Sequence, residues 1–223
     1  MSAKMQLTEN NLLRILESPE YREFLSGFQQ RSVAAKALVC APYDQGDRVF
    51  VVKSGRLRVY LAYEDKEFTL ALLEPGDVFS SHTRALVMAL EDSLLLVTDT
   101  ASIQHWIARF PAFSQVMGQV LGELLKNSIS IIEGLVFKGV RERLSEFLYR
   151  LASKKGEPKG QGLLIELDLT TEDVALLLGT TRQTVSQMLN ELIREGILER
   201  KSRRSLLVRD LSALHSWKDP TPT

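Results

Sequence analysis

Between about residue 35 and residue 100 the apolar positions fall in short runs that alternate with polar ones, the period of two that predicts strands. The stretch VFVVKSGRLRVYLAY (49–63) divides at Ser54-Gly55 into two such runs, with Leu57, Val59 and Leu61 set against Arg56, Arg58 and Tyr60. A charged turn, Glu64-Asp65-Lys66, leads into FTLALL (68–73); a Pro75-Gly76 break follows, and then LLLV (94–97). Many short strands with glycine-rich turns predict a sandwich or roll. From Trp106 the spacing becomes helical, and Pro111 punctuates it. From 112 to 137, Met117, Leu121, Leu124, Ser128, Ile131 and Leu135 recur at intervals of 4, 3, 4, 3 and 4. A heptad seam with one polar member predicts a helix paired with a twin, hence a homodimer. A long helix lying on its own core has the same periodicity. Gly118 and Gly122 sit one turn apart on this helix. Each costs about 1 kcal/mol against alanine in a helix interior, so the close approach of a bulky group is the expected reason for them.

Gly139 marks a break, and the Lys/Gly/Pro stretch KKGEPKGQG (154–162) is expected to be an exposed loop. The segment LTTEDVALLLGTTRQTVSQMLNELIREGILER then carries the strongest signal in the chain. Thr170 and Asp173 make a cap-like start to a helix whose face is Val174, Leu177 and Leu178, and Gly179 ends it. Thr180 to Gln183 has the form of a second capping box, with Val185, Leu189 and Leu192 facing inward on the helix that follows. Two short helices around one glycine turn make a helix-turn-helix. Arg182, Gln183, Ser186 and Gln187 stand exposed at the start of the second helix. Arginine pairs bidentately with guanine and glutamine with adenine, so these four suit base edges. From Arg194 to Arg209 there are six cations against two anions, a local net charge of +4, and GILERKSRRSLLVRD has the pattern of a hairpin wing. Thr180, Thr181, Lys201, Arg203 and Arg204 are the expected phosphate contacts on double-stranded DNA. A helical pair that merely packs beside a solvated basic hairpin does not account for caps, glycine turn, exposed readers and wing occurring together.

Composition narrows the partners. The 223 residues make room for one large or two ordinary domains, and 44% hydrophobic with 25% charged content is that of a soluble globular protein. No run approaches the ~18 apolar residues of a membrane span, and MSAKMQLTENNLL lacks the apolar core of a secretory signal. The formal net charge is zero, so contact with nucleic acid must come from local asymmetry. The single cysteine, Cys40, is expected to be a small buried hydrophobe. It allows no internal disulfide, points to a reducing, cytoplasmic setting, and falls short of the roughly four thiolates that an iron–sulfur cluster needs. One cysteine and three scattered histidines give no nucleophile–base constellation, so no enzyme is expected.

A strand-rich sensor, a long pairing helix and a C-terminal winged helix, in this order, resemble the CRP/FNR superfamily of bacterial regulators over nearly the whole chain. GTTRQTVSQMLNELIREGIL (179–198) carries the resemblance most strongly, and SGRLRVYL and PGDVF match its β-roll. The resemblance implies an α+β chain in three parts: a β-roll sensor at 1–111, a dimerisation helix at 112–138 that ends in a hinge at Phe137 and Lys138, and a winged helix-turn-helix at 139–223. The cyclic-nucleotide branch of the superfamily carries a Gly-Glu pair and an Arg-x-Ala in its phosphate cassette. Arg84-Ala85 is present here, but no Gly-Glu pair precedes it and the loop is too short for the usual cassette helix, so cyclic AMP is not the expected effector.

GDVFSSHTRA, VLGELLKNS (120–128), GLVFK (134–138) and most of YLAYEDKEFTLALLE resemble instead the branch of carbon-monoxide-sensing heme regulators. That resemblance implies heme b, with His82 as the proximal axial ligand and the N-terminal amine, that of Ser2 once Met1 is removed, as the other. It places Gly118, Leu121, Gly122 and Leu125 on the distal face where gas binds. It implies that carbon monoxide displaces the amine and leaves His82 bound. The winged helices then turn so that two recognition helices enter major grooves about 34 Å apart on a palindromic operator, with RNA polymerase as a further partner. Ser80 stands where some members of this branch have a cysteine, which removes a thiolate from the choices of oxidised iron. A competing expectation keeps the DNA binding and puts another small-molecule effector, without heme, in the roll. A lone loop histidine is also commonly a solvent-facing or hydrogen-bonded residue, and His105 and His215 are read as plain surface or core residues.

Overall fold

The computed structural model describes residues 13, 19, 22–42, 47–64, 66–83, 85–109, 111–202 and 204–218; for 22, 106–109, 111–113, 115–117, 120, 123 and 124 it describes the backbone alone. The chain divides into two compact units, with the break between Ser130 and Ile131. Among the described residues no helix is long and apolar enough to cross a membrane.

In the first unit a short helix, α1 (Arg22–Ser26), is followed by β1 (Gln29–Val33), β2 (Leu38–Cys40), β3 (Arg48–Ser54), β4 (Leu57–Tyr63), β5 (Lys66–Leu73), β6 (Val78–Ser80), a 3-10 turn (Ser81–Thr83), β7 (Leu86–Ala89) and β8 (Ser93–Asp99). They pair antiparallel in two four-stranded sheets, β1-β8-β3-β6 and β2-β7-β4-β5. The two runs within 49–63 are therefore neighbours in sequence but lie in different sheets, and the chain changes sheet at Gly55. That residue has φ 86°, in the left-handed region, and a Cβ on it would lie 2.2 Å from Ser93 Oγ and 2.7 Å from the Asp92 carbonyl oxygen. Only glycine fits both demands.

Side chains from both sheets, among them Val33, Val39, Phe50, Val52, Leu57, Val59, Leu73, Val87 and Leu95, meet in one apolar core. Cys40 joins them as the small buried hydrophobe expected of it. The roll starts earlier than residue 35, at Gln29. Strand β1 buries only its last residue, so it has no alternation to betray it, and its ladder to β8 (Gln29↔Val97 through Val33↔Ser93) places it instead.

The expected alternation along β4 also breaks. Leu57 and Val59 enter the core, but Leu61 is exposed, and the register with β5 shifts between Val59 and Tyr60. The extra residue is Leu70 of β5, so the phase changes along β5 and brings Thr69 and Glu67 to the face that carries Arg58. Arg58, assigned to the polar side, is only 6% exposed. Its Nε donates to Thr69 Oγ1 (2.8 Å), its Nη1 donates to the Glu67 carboxylate (2.7 Å), and its guanidinium lies 4.4 Å above the Tyr60 ring. Burial, then the Glu67 charge, pushes the Tyr60 phenol above its ordinary pKa, with Arg58 opposing.

Helix α2 (Thr100–Arg109) precedes the 27-residue α3 (Pro111–Phe137). Proline opens α3, where its missing N–H costs nothing. Leu121, Leu125, Ile129, Ile132, Leu135, Val136 and Phe137 are all exposed on it, while Ile131 is half-buried. The uncovered apolar stripe is thus broader than the predicted seam. The side chains of Met117 and Leu124 lie outside the described residues.

The second unit contains α4 (Val140–Lys155), β9 (Glu157–Lys159), β10 (Gly162–Glu166), α5 (Thr171–Leu178), α6 (Arg182–Arg194), β11 (Leu198–Arg200), β12 (Ser205–Val208) and α7 (Leu211–His215). Gly139 is the extended N-cap of α4. The expected loop at 154–162 is instead the end of α4 and a hairpin, in which β9 pairs with β10 around Gly160 at φ 60°. Pro158 is tolerated because β9 is the edge of the sheet β11-β12-β10-β9. Leu144, Leu148, Ile165, Val174, Val185, Leu189, Leu192, Leu206 and Leu214 form the core. His215 stacks on Tyr149 with ring centroids 4.4 Å apart.

Replacing Gly55 by alanine is expected to destabilise the first unit by more than about 1 kcal/mol, because strain and a clash with backbone act together. Chemical denaturation followed by circular dichroism measures it; an unchanged midpoint would refute the role given to this turn.

Candidate functional site

Helix α5 begins with reciprocal hydrogen bonds. Thr170 Oγ1 accepts the Asp173 N–H (3.1 Å), and the Asp173 carboxylate accepts the Thr170 N–H (2.8 Å). Val174 and Leu178 are buried as expected, Leu177 only partly, and Ala175 completes the face. The helix stops at Gly179, with φ 63° and ψ 44°. The next cap falls one residue later than the pattern predicted. Thr181, not Thr180, is the N-cap of α6, and its Oγ1 accepts the Thr184 N–H (3.2 Å). The Thr180 N–H is used by the Ala175 carbonyl (3.0 Å), so Thr180 closes α5 and cannot open α6. Two adjacent threonines hide this in the sequence.

At the start of α6, Arg182, Gln183 and Gln187 are exposed and Ser186 is partly buried, while Val185, Leu189 and Leu192 face the core. The wing, β11 with β12, has its register Leu198↔Val208 through Arg200↔Leu206. Glu199 on β11 ion-pairs with both Lys201 and Arg209, the Arg209 Nε donating at 3.0 Å. Those hydrogen bonds, that of Lys201 first, hold the Glu199 carboxyl below its usual range. Two of the six cations counted in the basic segment are therefore partly neutralised. The signal for one of them was available, since Glu199 and Lys201 are two apart in sequence, with Lys201 directly after the end of β11. The side chain of Arg204 is exposed, and Arg203 lies outside the described residues.

At the end of α3, Phe137 is 80% exposed and Lys138 ion-pairs with Glu146. Arg143, which the sequence did not single out, ties this junction to the helix-turn-helix. Its Nη1 donates to the carbonyls of Lys138 (2.7 Å) and Gly134 (3.3 Å), and its Nε donates to that of Leu178 (3.1 Å). All three acceptors are backbone, which is why no residue pattern announces them.

In the first unit, His82 lies in the turn after β6 with its side chain half exposed. Its Nδ1 is 2.7 Å from Ser80 Oγ and its Nε2 is 2.8 Å from Asp47 Oδ1. A carboxylate only accepts, so in the neutral ring the proton belongs on Nε2 and the Ser80 hydroxyl donates to Nδ1. The turn is pinned to β3 by Ser81 Oγ, which accepts the Arg48 N–H (3.0 Å). Asp47 is 35 residues from His82 in sequence, and only the pairing of β3 with β6 reveals it as a partner. On α3 a Cβ at Gly118 or Gly122 would meet nothing within 4 Å, and Leu121 and Leu125 are 60% and 62% exposed. Ser2 and Arg84 lie outside the described residues.

Two family models match the chain: a Crp-like helix-turn-helix domain over residues 142–217 and a cyclic nucleotide-binding domain over residues 30–110. Among solved structures, a variant of CooA from Carboxydothermus hydrogenoformans is 52% identical with a TM-score of 0.90, covering 96% of this chain and 98% of that one. The heme domain of CooA from the same organism is 54% identical with a TM-score of 0.50, over 58% of this chain and 96% of that one. The reduced CO-sensing protein from R. rubrum is 32% identical with a TM-score of 0.54, over 92% and 97%.

Replacing Glu199 by glutamine is expected to free Lys201 and Arg209, to raise affinity for random duplex DNA, and to steepen the slope of log K against log salt by about 1 to 2. A salt titration of binding measures both; an unchanged slope would mean that the wing cations do not reach phosphate.

Proposed function

The chain belongs to the CRP/FNR family of transcription regulators, and from that premise we propose that it is a heme-dependent, carbon-monoxide-sensing activator that binds a palindromic operator as a homodimer. The observation that carries this reading is the 52% identity to CooA across 96% of the chain, together with a half-exposed histidine where the resemblance requires one.

The residues at the sensor fit heme b. A porphyrin needs a metal ligand that solvent can reach and an apolar surface to lie against. His82 provides the first, and the uncovered leucines and Cβ-free glycines of α3 provide the second. When bound, the heme iron supplies the site that takes carbon monoxide. His82 would give one ring nitrogen to the iron and donate the N–H of the other, to Ser80 Oγ or to Asp47, which would fix the ring and tune its basicity. Ser2 gives its α-amine. An ordinary α-amine has a pKa near 8, so close to neutral pH a proton competes for its lone pair. Of the two residues that would hold the iron, Ser2 would therefore be the weaker and more easily displaced.

In the second unit Arg182, Gln183, Ser186 and Gln187 meet base edges, while Thr180, Thr181, Lys201, Arg203 and Arg204 take phosphates. The hinge at Phe137 and Lys138, held by Arg143, carries the change between the units. RNA polymerase is the partner of the DNA-bound dimer. The second reading, a different effector in the roll without heme, is favoured by the cyclic nucleotide-binding match over residues 30–110.

An absorption spectrum of the purified protein separates the two readings: a Soret band is expected, and its absence would favour the second. Replacing His82 by alanine should abolish the six-coordinate ferrous spectrum, and an unchanged spectrum would remove His82 as the proximal ligand. Extending the N-terminus by several residues should alter both the ferric and the ferrous spectra. Spectra identical to wild type would eliminate Ser2.

A further inference from the structure

Helix α6 carries a carboxylate that is engaged on two sides. Glu191 Oε2 ion-pairs with Arg141 of α4, and Glu191 Oε1 accepts a hydrogen bond from Gln187 Nε2 at 3.3 Å. Arg141 is itself fixed, with its guanidinium 4.1 Å above the ring of Trp217. Trp217 is buried beyond the end of α7 and donates its Nε1–H to Glu195 Oε2 at 2.9 Å. The Arg141 and Glu191 side chains are 23% and 17% exposed, so this pair is less screened than a pair on the open surface. Gln187 lies one turn before Glu191, the i, i+4 spacing at which helical side chains meet, and its own side chain is exposed.

A glutamine amide that is free in water turns about its last bond and offers oxygen or nitrogen to either side. Held by Nε2, it can offer outward only its carbonyl oxygen and its remaining N–H. A carboxylate on the reading helix would also repel phosphate unless it is neutralised, and Arg141 neutralises this one. We propose that Glu191, clamped by Arg141, is a specificity-determining positioning residue that fixes the amide of Gln187 for base reading. The inference rests on the proposed role of Gln187 at a base edge.

The test uses the full-length protein and a duplex that it enriches from a random pool, selected in parallel with and without carbon monoxide. The readout is the ratio of affinities for the enriched and a random duplex, in which any change in the folded fraction cancels. The Glu191→Ala variant should lower this ratio about 3- to 10-fold, the order of one hydrogen bond, with binding to random DNA undiminished. In a Gln187→Ala background the same substitution should cost nothing more. Should Glu191→Ala fold poorly, Glu191→Gln keeps the shape, breaks the ion pair and should lower the ratio in the same direction. An unchanged ratio, or an equal loss in the Gln187→Ala background, would leave Glu191 as a brace and overturn the proposal. A different result separates the two claims: if Gln187→Ala alone leaves the ratio at its wild-type value, the base-reading role fails and takes the relay with it. Failure to enrich any duplex in either condition would overturn both.

Discussion

A reading helix must begin almost where its supporting helix ends, and that forces the backbone through a conformation most L-residues avoid. Gly179 provides it, at φ 63° and ψ 44°. From that one residue follow the closure of α5 by the Thr180 N–H, the opening of α6 at Thr181 and the packing of Val185 against a face that includes Ala175. The angle so fixed leaves Arg182, Gln183 and Gln187 free of the core. Arg143 depends on the same turn, because the Leu178 carbonyl it holds is the last of α5. Any motion at the end of α3 therefore meets the helix-turn-helix through a side chain already bonded to both.

Carboxylates shape the charge that DNA would meet. In the basic segment Glu199 takes up Lys201 and Arg209, and on the reading helix Glu191 takes up Arg141. Pairing lowers the local field and engages donors of the paired cations, so attraction at a distance is weaker than the count of cations suggests. On the sensor side, polar bonds at Ser80, Ser81 and Asp47 hold the His82 turn against β3, while α3 presents Leu121 and Leu125 on an apolar surface.

Much of this was legible in the residue pattern because it is local. Capping chemistry, a glycine turn and inward-facing leucines at 3.6-residue spacing are decided within a dozen residues, and the helix-turn-helix, its wing and the long α3 were all expected from them. The same holds for Gly55, which divides two strands wherever they end up. Tertiary structure decided what depends on partners far along the chain. The bulge at Leu70 of β5, opposite Val59 and Tyr60, brought Thr69 and Glu67 to the face of Arg58 and let it be buried on them, because register is set by the neighbouring strand. Thr181 displaced Thr180 as a cap because the preceding helix had already claimed an N–H. Asp47 reached His82 across 35 residues, and Glu191 reached Arg141 across 50. Periodicity records which face of an element avoids water. It carries no information on which polar group from elsewhere will satisfy a donor, and those pairings, made only when the sheets and helices pack, are what decided the surroundings of His82, Gln187 and Lys201.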